Sequence, residues 1–171
     1  MSQLDIELCH WQKEDAAAIA RLANNPKLTA TLSDRWTVPY TLEQAVAFVD
    51  YLIGNRDNEY SRAICVDGAF AGTINVTPQE GVYCHTGVLG YWLGEPFWGR
   101  GLMTRIVAQA IEEALVLFPD LIRLQAEVFS INPASERVLE KNGFVKEGAL
   151  RNHVLKRGEV LDLWVYGRLL K

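Results

Sequence analysis

Apolar residues change their period along this chain, and each change marks a predicted element. After Met103 they recur at Ile106, Val107, Ala110, Ile111, Ala114, Leu115 and Phe118. Those three- and four-residue steps describe one buried helix face, so a helix is predicted from Leu102 to Phe118. Near the C-terminus Leu161, Leu163 and Val165 alternate with Asp162, Trp164 and Tyr166, the period of a strand with two different faces. Thr41-Leu-Glu-Gln44 has the form of a capping box, and Val46, Val49, Leu52 and Ile53 supply the helix face behind it. Asp67-Gly68, between Arg62–Val66 and Phe70–Val76, is a hairpin-turn signal. A first strand over residues 3 to 10, a short helix from Asp15 to Leu22 and a loop from Asp34 to Tyr40 carrying Pro39 precede it. Strands over Thr86–Leu93 and Arg123–Phe129, a helix over Ala134–Lys141 and two closing strands around Arg157-Gly158 complete the order. The succession is mixed α/β (α+β), mostly antiparallel by its hairpins, with no linker, repeat or low-complexity tract to divide it.

Between the strand ending at Leu93 and the helix beginning at Leu102 lies Gly94-Glu-Pro-Phe-Trp-Gly99-Arg-Gly101. Free backbone N–H groups at a helix start, uncrowded by Cβ atoms, suit phosphate oxygens. A dinucleotide fingerprint needs a third glycine where this chain has Thr104, and a nucleoside-triphosphate loop needs lysine and a hydroxyl where it has Arg100 and Gly101. The glycines taken alone leave two readings open, a phosphate cradle and a tight strand-to-helix connection.

A second segment, Asn132-Pro-Ala-Ser135-Glu-Arg-Val-Leu-Glu-Lys-Asn-Gly143-Phe144, follows the apolar run Leu121 to Phe129. Together the two segments resemble the GNAT superfamily of acyl-CoA-dependent N-acetyltransferases. Pro96-Phe-Trp-Gly99-Arg-Gly101 is similar to that superfamily's pyrophosphate loop, although Pro96 stands where Gln or Arg is usual. Tyr91-Trp92-Leu93, Phe97-Trp98-Gly99, Asn132 with Ser135, Gly143-Phe144 and Glu147-Gly148 resemble the RimJ/RimL group, which acetylates protein N-termini. The likeness is carried by residues 86 to 170; residues 1 to 80 share layout more than motif. It implies a single GNAT domain over residues 1–171, with a mixed, mostly antiparallel central sheet flanked by helices and splayed open where acetyl-CoA enters.

The resemblance also implies roles. The backbone of Gly99, Arg100, Gly101, Leu102, Met103 and Thr104 would hold the pyrophosphate, with the Thr104 hydroxyl as a further donor. Leu93 and its neighbours would lie alongside the pantetheine arm, Asn132 would hydrogen-bond it, and Trp98 would belong to the cofactor site. In much of the superfamily a tyrosine seven residues after the Asn protonates the leaving thiolate; here that residue is Leu139, and Ser135 resembles the RimJ/RimL group's acid instead. Plain helix-start and capping roles remain the alternatives for Asn132 and Ser135. Apart from the resemblance, the Asp34-Arg35-Trp36 loop, which mixes charge and aromatic surface before Pro39, and His153 are read as acceptor-binding, with a plain surface loop and a structural histidine as the alternatives. The general base is open among Glu95, Glu127, His153 and Asp34, and for Glu127 the alternative is a cross-strand salt bridge on the face it shares with Arg123 and Gln125. No cysteine sits beside a plausible base, so direct attack in a ternary complex is expected rather than a covalent enzyme intermediate.

Composition narrows the setting. In 171 residues 49% are apolar, enough for a real core and against disorder. A formal net charge of -4 argues against a nucleic-acid partner, which needs a basic face. Cys9, Cys65 and Cys84 form no Cys-x-x-Cys pair, and His10, His85 and His153 show no metal-ligand spacing. There is no signal-peptide pattern and no run long enough for a bilayer. The expectation is therefore a cytoplasmic enzyme with acetyl-CoA as co-substrate, no metal, no membrane and an amine acceptor, a homodimer being left open. The acceptor is read as an N-terminal α-amine, whose ordinary pKa of about 8 asks less of a base than the roughly 10.4 of lysine. A small amine acceptor (antibiotic, polyamine or amino acid) and a non-catalytic acyl-CoA-binding module are the alternatives.

Overall fold

Two tight turns set the sheet. The computed structural model describes residues 4–171. In chain order it contains β1 (Ile6–Cys9), α1 (Asp15–Ala23), α2 (Pro26–Thr29), α3 (Leu42–Gly54), β2 (Tyr60–Val66), β3 (Ala69–Pro78) and β4 (Thr86–Leu93). There follow α4 (Leu102–Leu117), β5 (Arg123–Phe129), α5 (Pro133–Lys141), β6 (Val145–Lys156) and β7 (Glu159–Leu169). Asp67 and Gly68, with φ of 49° and 77°, and Arg157 and Gly158, with φ of 51° and 82°, turn β2 into β3 and β6 into β7. Positive φ at both central residues matches the twist of the flanking strands. The first strand is shorter than the pattern suggests, and Gln3 lies outside the described residues.

The sheet has seven strands in the order β1-β2-β3-β4-β5-β7-β6. Only β4 and β5 run parallel, and they pair at Thr86↔Arg123, Gly87↔Leu124 and Val88↔Gln125 alone. Beyond Val88 each keeps its other neighbour: β4 stays paired to β3 through Leu93, and β5 to β7 through Phe129. The two halves of the sheet therefore separate between Leu89–Leu93 and Ala126–Phe129.

Each face of the sheet buries its own apolar layer. On one face α4 presents Met103, Ile106, Val107, Ala110, Ile111 and Ala114 to Ile64, Ile74, Leu89 and Leu124; burying a side chain such as Ile106 contributes about 2 kcal/mol. On the other, α1 and α3 pack Ile19, Val49 and Leu52 with Trp11, Trp36 and Trp92. The capping box forms, Gln44 N donating to Thr41 Oγ1 and Thr41 N to Gln44 Oε1. The face behind it differs from expectation. Ala45, Val49 and Leu52 are buried, while Val46 is 44% exposed, because at 100° per residue Val46 falls beside the stripe rather than on it. Tyr166, on the β7 face opposite Leu161 and Leu163, is fully buried under α5 and donates to Glu136 Oε2 at 2.8 Å. Helix α2, unseen in the apolar pattern, starts at Asn25, whose side chain accepts from Lys27 N ahead of Pro26 in the first turn.

The β6–β7 tip folds over the N-terminal helices. Arg157 donates to the Pro26 carbonyl and to Thr29 Oγ1, and Lys156, only 7% exposed, donates to Asp34 Oδ1 at 2.8 Å. That ammonium holds the Asp34 carboxyl below its ordinary 3.8. A carboxylate with a depressed folded pKa stabilises the fold above its unfolded pKa, and that contribution disappears as pH falls through the folded value. Asp34→Asn should lower the urea midpoint at neutral pH, and its gap to the parent should close as the pH drops below 3.8. Equal midpoints at neutral pH would show that the tip is held without this pair.

Candidate active site

The opening between β4 and β5 is a cleft of about 710 Å³ that runs through the sheet. One end meets the start of α4, the middle lies between Tyr91 and the start of α5, and the far end is walled by Leu28, Leu32, Arg35, Trp36 and Phe48. Of the residues singled out in the sequence, Leu93, Trp98 through Thr104, Asn132, Ser135 and Arg35 all line it.

At the α4 end, Gly99 and Gly101 take φ of 73° and 68°, conformations that cost an L side chain about 1–2 kcal/mol. A Cβ at either would meet no protein atom within 4 Å, so the space beside both is open. No side chain caps α4, which leaves its first backbone N–H groups directed out of the helix. Leu102 and Met103 send their side chains into the core, being 3% and 9% exposed, and so offer the cleft backbone only. Trp98 donates its indole N–H to the Leu93 carbonyl at 2.5 Å, folding the turn against the end of β4. From the other side, Asn142 donates to the Thr104 and Val138 carbonyls and locks α5 to the first turn of α4. Asn142 carries no distinguishing signal in the sequence, being one polar residue among others near a helix end.

Asn132 caps α5, its Oδ1 accepting from Ser135 N at 3.3 Å; among the described residues its amide Nδ2 donates to nothing and is available to the cleft. Ser135 is thus not the cap. Its hydroxyl lies 2.8 Å from Tyr91 Oη on β4, either oxygen able to donate. Burial pushes the Tyr91 phenol up to about 12, the Ser135 bond pulling the other way. Tyr91 was visible in sequence only as part of a motif, because its meeting with Ser135 joins positions 44 residues apart. Leu139 is sealed in the core.

The base candidates separate clearly. Glu95 accepts from Lys27 Nζ at 2.5 Å and from Asn25 Nδ2 at 2.6 Å, Lys27 first and Asn25 second holding its carboxyl low. It ties α2 to the turn before α4 and is outside the cleft lining, as is Asp34, which serves Lys156. His153 is exposed on β6 and also outside that lining. Arg123 pairs with Glu147, not with Glu127. Glu127 lines the cleft and makes no ion pair among the described residues, the arrangement expected of a free carboxylate that can take a proton through water.

The sequence profile of the acetyltransferase (GNAT) domain matches residues 5–145. The chain belongs to the GNAT family. It is 26% identical over 171 residues to an uncharacterized N-acetyltransferase, p20, of Bacillus licheniformis, covering 96% of this chain and 92% of that protein. A ribosomal-protein-serine acetyltransferase of Escherichia coli is 29% identical over 85 residues, 50% of this chain and 47% of that one. RimL, a ribosomal alpha-N-protein acetyltransferase solved with coenzyme A, superimposes with a TM-score of 0.83 at 24% identity, over 96% and 93% of the two chains. This GNAT protein is accordingly an acetyl-CoA-dependent N-acetyltransferase.

Two outcomes are expected of the GNAT site. Gly101→Val should weaken acetyl-CoA binding by at least about tenfold, or 1.4 kcal/mol, by calorimetry on a variant with parental circular dichroism; unchanged affinity would remove the cradle assignment. Ser135→Ala should lower kcat by about tenfold with little change in acetyl-CoA affinity, as for a group acting on the transition state. A kcat within about twofold of the parent would leave Ser135 without a catalytic part.

Proposed function

We propose that this enzyme acetylates the N-terminal α-amine of a peptide or protein in the cytoplasm, by direct attack on acetyl-CoA in a ternary complex. The pyrophosphate lies on the backbone from Gly99 to Thr104, Asn132 Nδ2 holds the pantetheine arm, and the amine arrives from the Trp36 end. Glu127 takes the amine's proton through water, and Ser135 gives one to the departing sulfur.

The observation that carries this reading is the charge of the cleft. Among the described residues lining it, Lys27, Arg35, Arg100 and Arg137 stand against Glu127 alone. With Lys27 neutralised by Glu95, the lining is still basic, although the whole chain is acidic at -4. Arg100 and Arg137, beside the α4 end, suit the phosphates of coenzyme A. Arg35, the charged residue at the Trp36 end, disfavours polycations such as polyamines and aminoglycosides by like-charge repulsion, while the aromatic wall of Trp36, Phe48 and Trp92 offers apolar surface to a peptide side chain. The absence of a strong base suits an α-amine, which is far more often neutral at pH 7 than lysine. The likeness to a ribosomal-protein-serine acetyltransferase points the same way.

A turnover screen tests the proposal. A peptide with a free N-terminus should be acetylated faster than the same peptide N-blocked with an internal lysine, and faster than spermidine or an aminoglycoside. Faster turnover of the small amines would transfer the acceptor to that class. In the same assay Glu127→Gln should lower kcat/KM by about tenfold or more. An unchanged kcat/KM would leave the base to solvent.

A further inference from the structure

We propose that Tyr91 is the proton source behind Ser135, the two hydroxyls forming a relay from β4 to α5 that ends at the departing sulfur. The proposal rests on the acetyl-transfer reading above and adds a residue to it.

The geometry is specific. Tyr91 Oη sits 2.8 Å from Ser135 Oγ and 3.4 Å from the Ser135 carbonyl. Both side chains line the cleft where the sheet has parted. Tyr91 is held there by its strand: Ile74↔Tyr91 pairing with β3 fixes its position, and its neighbours Trp92 and Leu93 are buried on opposite faces. Asn132 fixes the other partner by capping the turn that carries Ser135. Two hydroxyls brought together by two rigid elements, across the one gap in the sheet, are placed for proton transfer rather than for stability. A serine hydroxyl by itself is a poor acid. A phenol behind it supplies a better one and disperses the charge left on Ser135.

The step balances with one proton per acetyl group. The N–C bond forms and the C–S bond breaks, its electron pair passing to sulfur. Ser135 Oγ–H gives its proton to that sulfur while Tyr91 Oη–H gives its own to Ser135 Oγ. Water returns a proton to the Tyr91 phenolate. The proton shed by the amine leaves separately, through Glu127 and water. Because burial holds the Tyr91 phenol high, it stays protonated, and able to donate, throughout the neutral range. The charged groups that share its cleft are Glu127, Arg35, Arg100, Arg137 and Lys27; none is hydrogen-bonded to it, so Ser135 is the partner that tunes it.

Three measurements decide it. Tyr91→Phe should lower kcat by about tenfold or more with acetyl-CoA affinity unchanged. Replacement of Tyr91 by a ring-fluorinated tyrosine keeps the hydroxyl and the packing but lowers the phenol pKa; it should introduce a fall in kcat at alkaline pH where the parent is flat. Independently of turnover, carbon-13 NMR of ring-labelled tyrosine, with Tyr91 assigned by its loss in Tyr91→Phe, should show Tyr91 titrating at higher pH in Ser135→Ala than in the parent. An active parent whose Tyr91→Phe variant keeps kcat within about twofold, an alkaline profile indifferent to fluorination, or a Tyr91 titration indifferent to Ser135 would each overturn the relay. A parent that turns over no amine would instead overturn the acetyl-transfer reading, and the relay with it.

Discussion

The site depends on one incomplete pairing. Strands β4 and β5 share three residue pairs and then part, while the β3–β4 and β5–β7 pairings continue past that point. An unpaired strand edge inside a protein is costly, because its N–H and C=O groups need partners. Here the parting creates a passage through the sheet whose walls are rigid on both sides. The passage opens toward α4 on one side and toward α1 and α3 on the other, between strands that each stay paired to their other neighbour. Direct transfer between two bound molecules needs that kind of held geometry.

Everything arranged around the gap serves to keep it in register. Trp98 pins the glycine turn to the end of β4, Glu95 ties α2 to the same turn, and Asn142 joins α5 to the first turn of α4. At the opposite end the β6–β7 tip reaches back to Pro26, Thr29 and Asp34. These are polar contacts at the ends of elements, and they join one element to the next around the cleft. Two carboxylates with the right chemistry for a base, Asp34 and Glu95, are spent on this framing. Glu127, on the edge of β5 beside the gap, makes no ion pair among the described residues.

Sequence by itself was enough for the main helices and strands, short α2 excepted, and for the open glycine turn before α4. The 3.6-residue period of α4, the two-residue turns at Asp67-Gly68 and Arg157-Gly158, and the cap at Asn132 act through neighbours in the chain, and local physics is legible locally. The same holds for the glycine turn, since Gly99 and Gly101 adopt positive φ beside the helix they open. Phase errors were local as well: Val46 lies one step off the buried stripe.

Tertiary structure alone decided what depends on distant pairs. Nothing in the spacing of the chain says that Asp34 meets Lys156 122 residues later, or that Glu95 meets Lys27 68 residues earlier. Nor does it say that Tyr91 meets Ser135 across the gap. Whether a carboxylate is a base or a tether, and whether a serine is a cap or a donor, is set by the group opposite it. In this protein the β6–β7 tip supplies it for Asp34, α2 for Glu95, and for Ser135 the crossover that brings β5 beside β4 and then lets the two strands part.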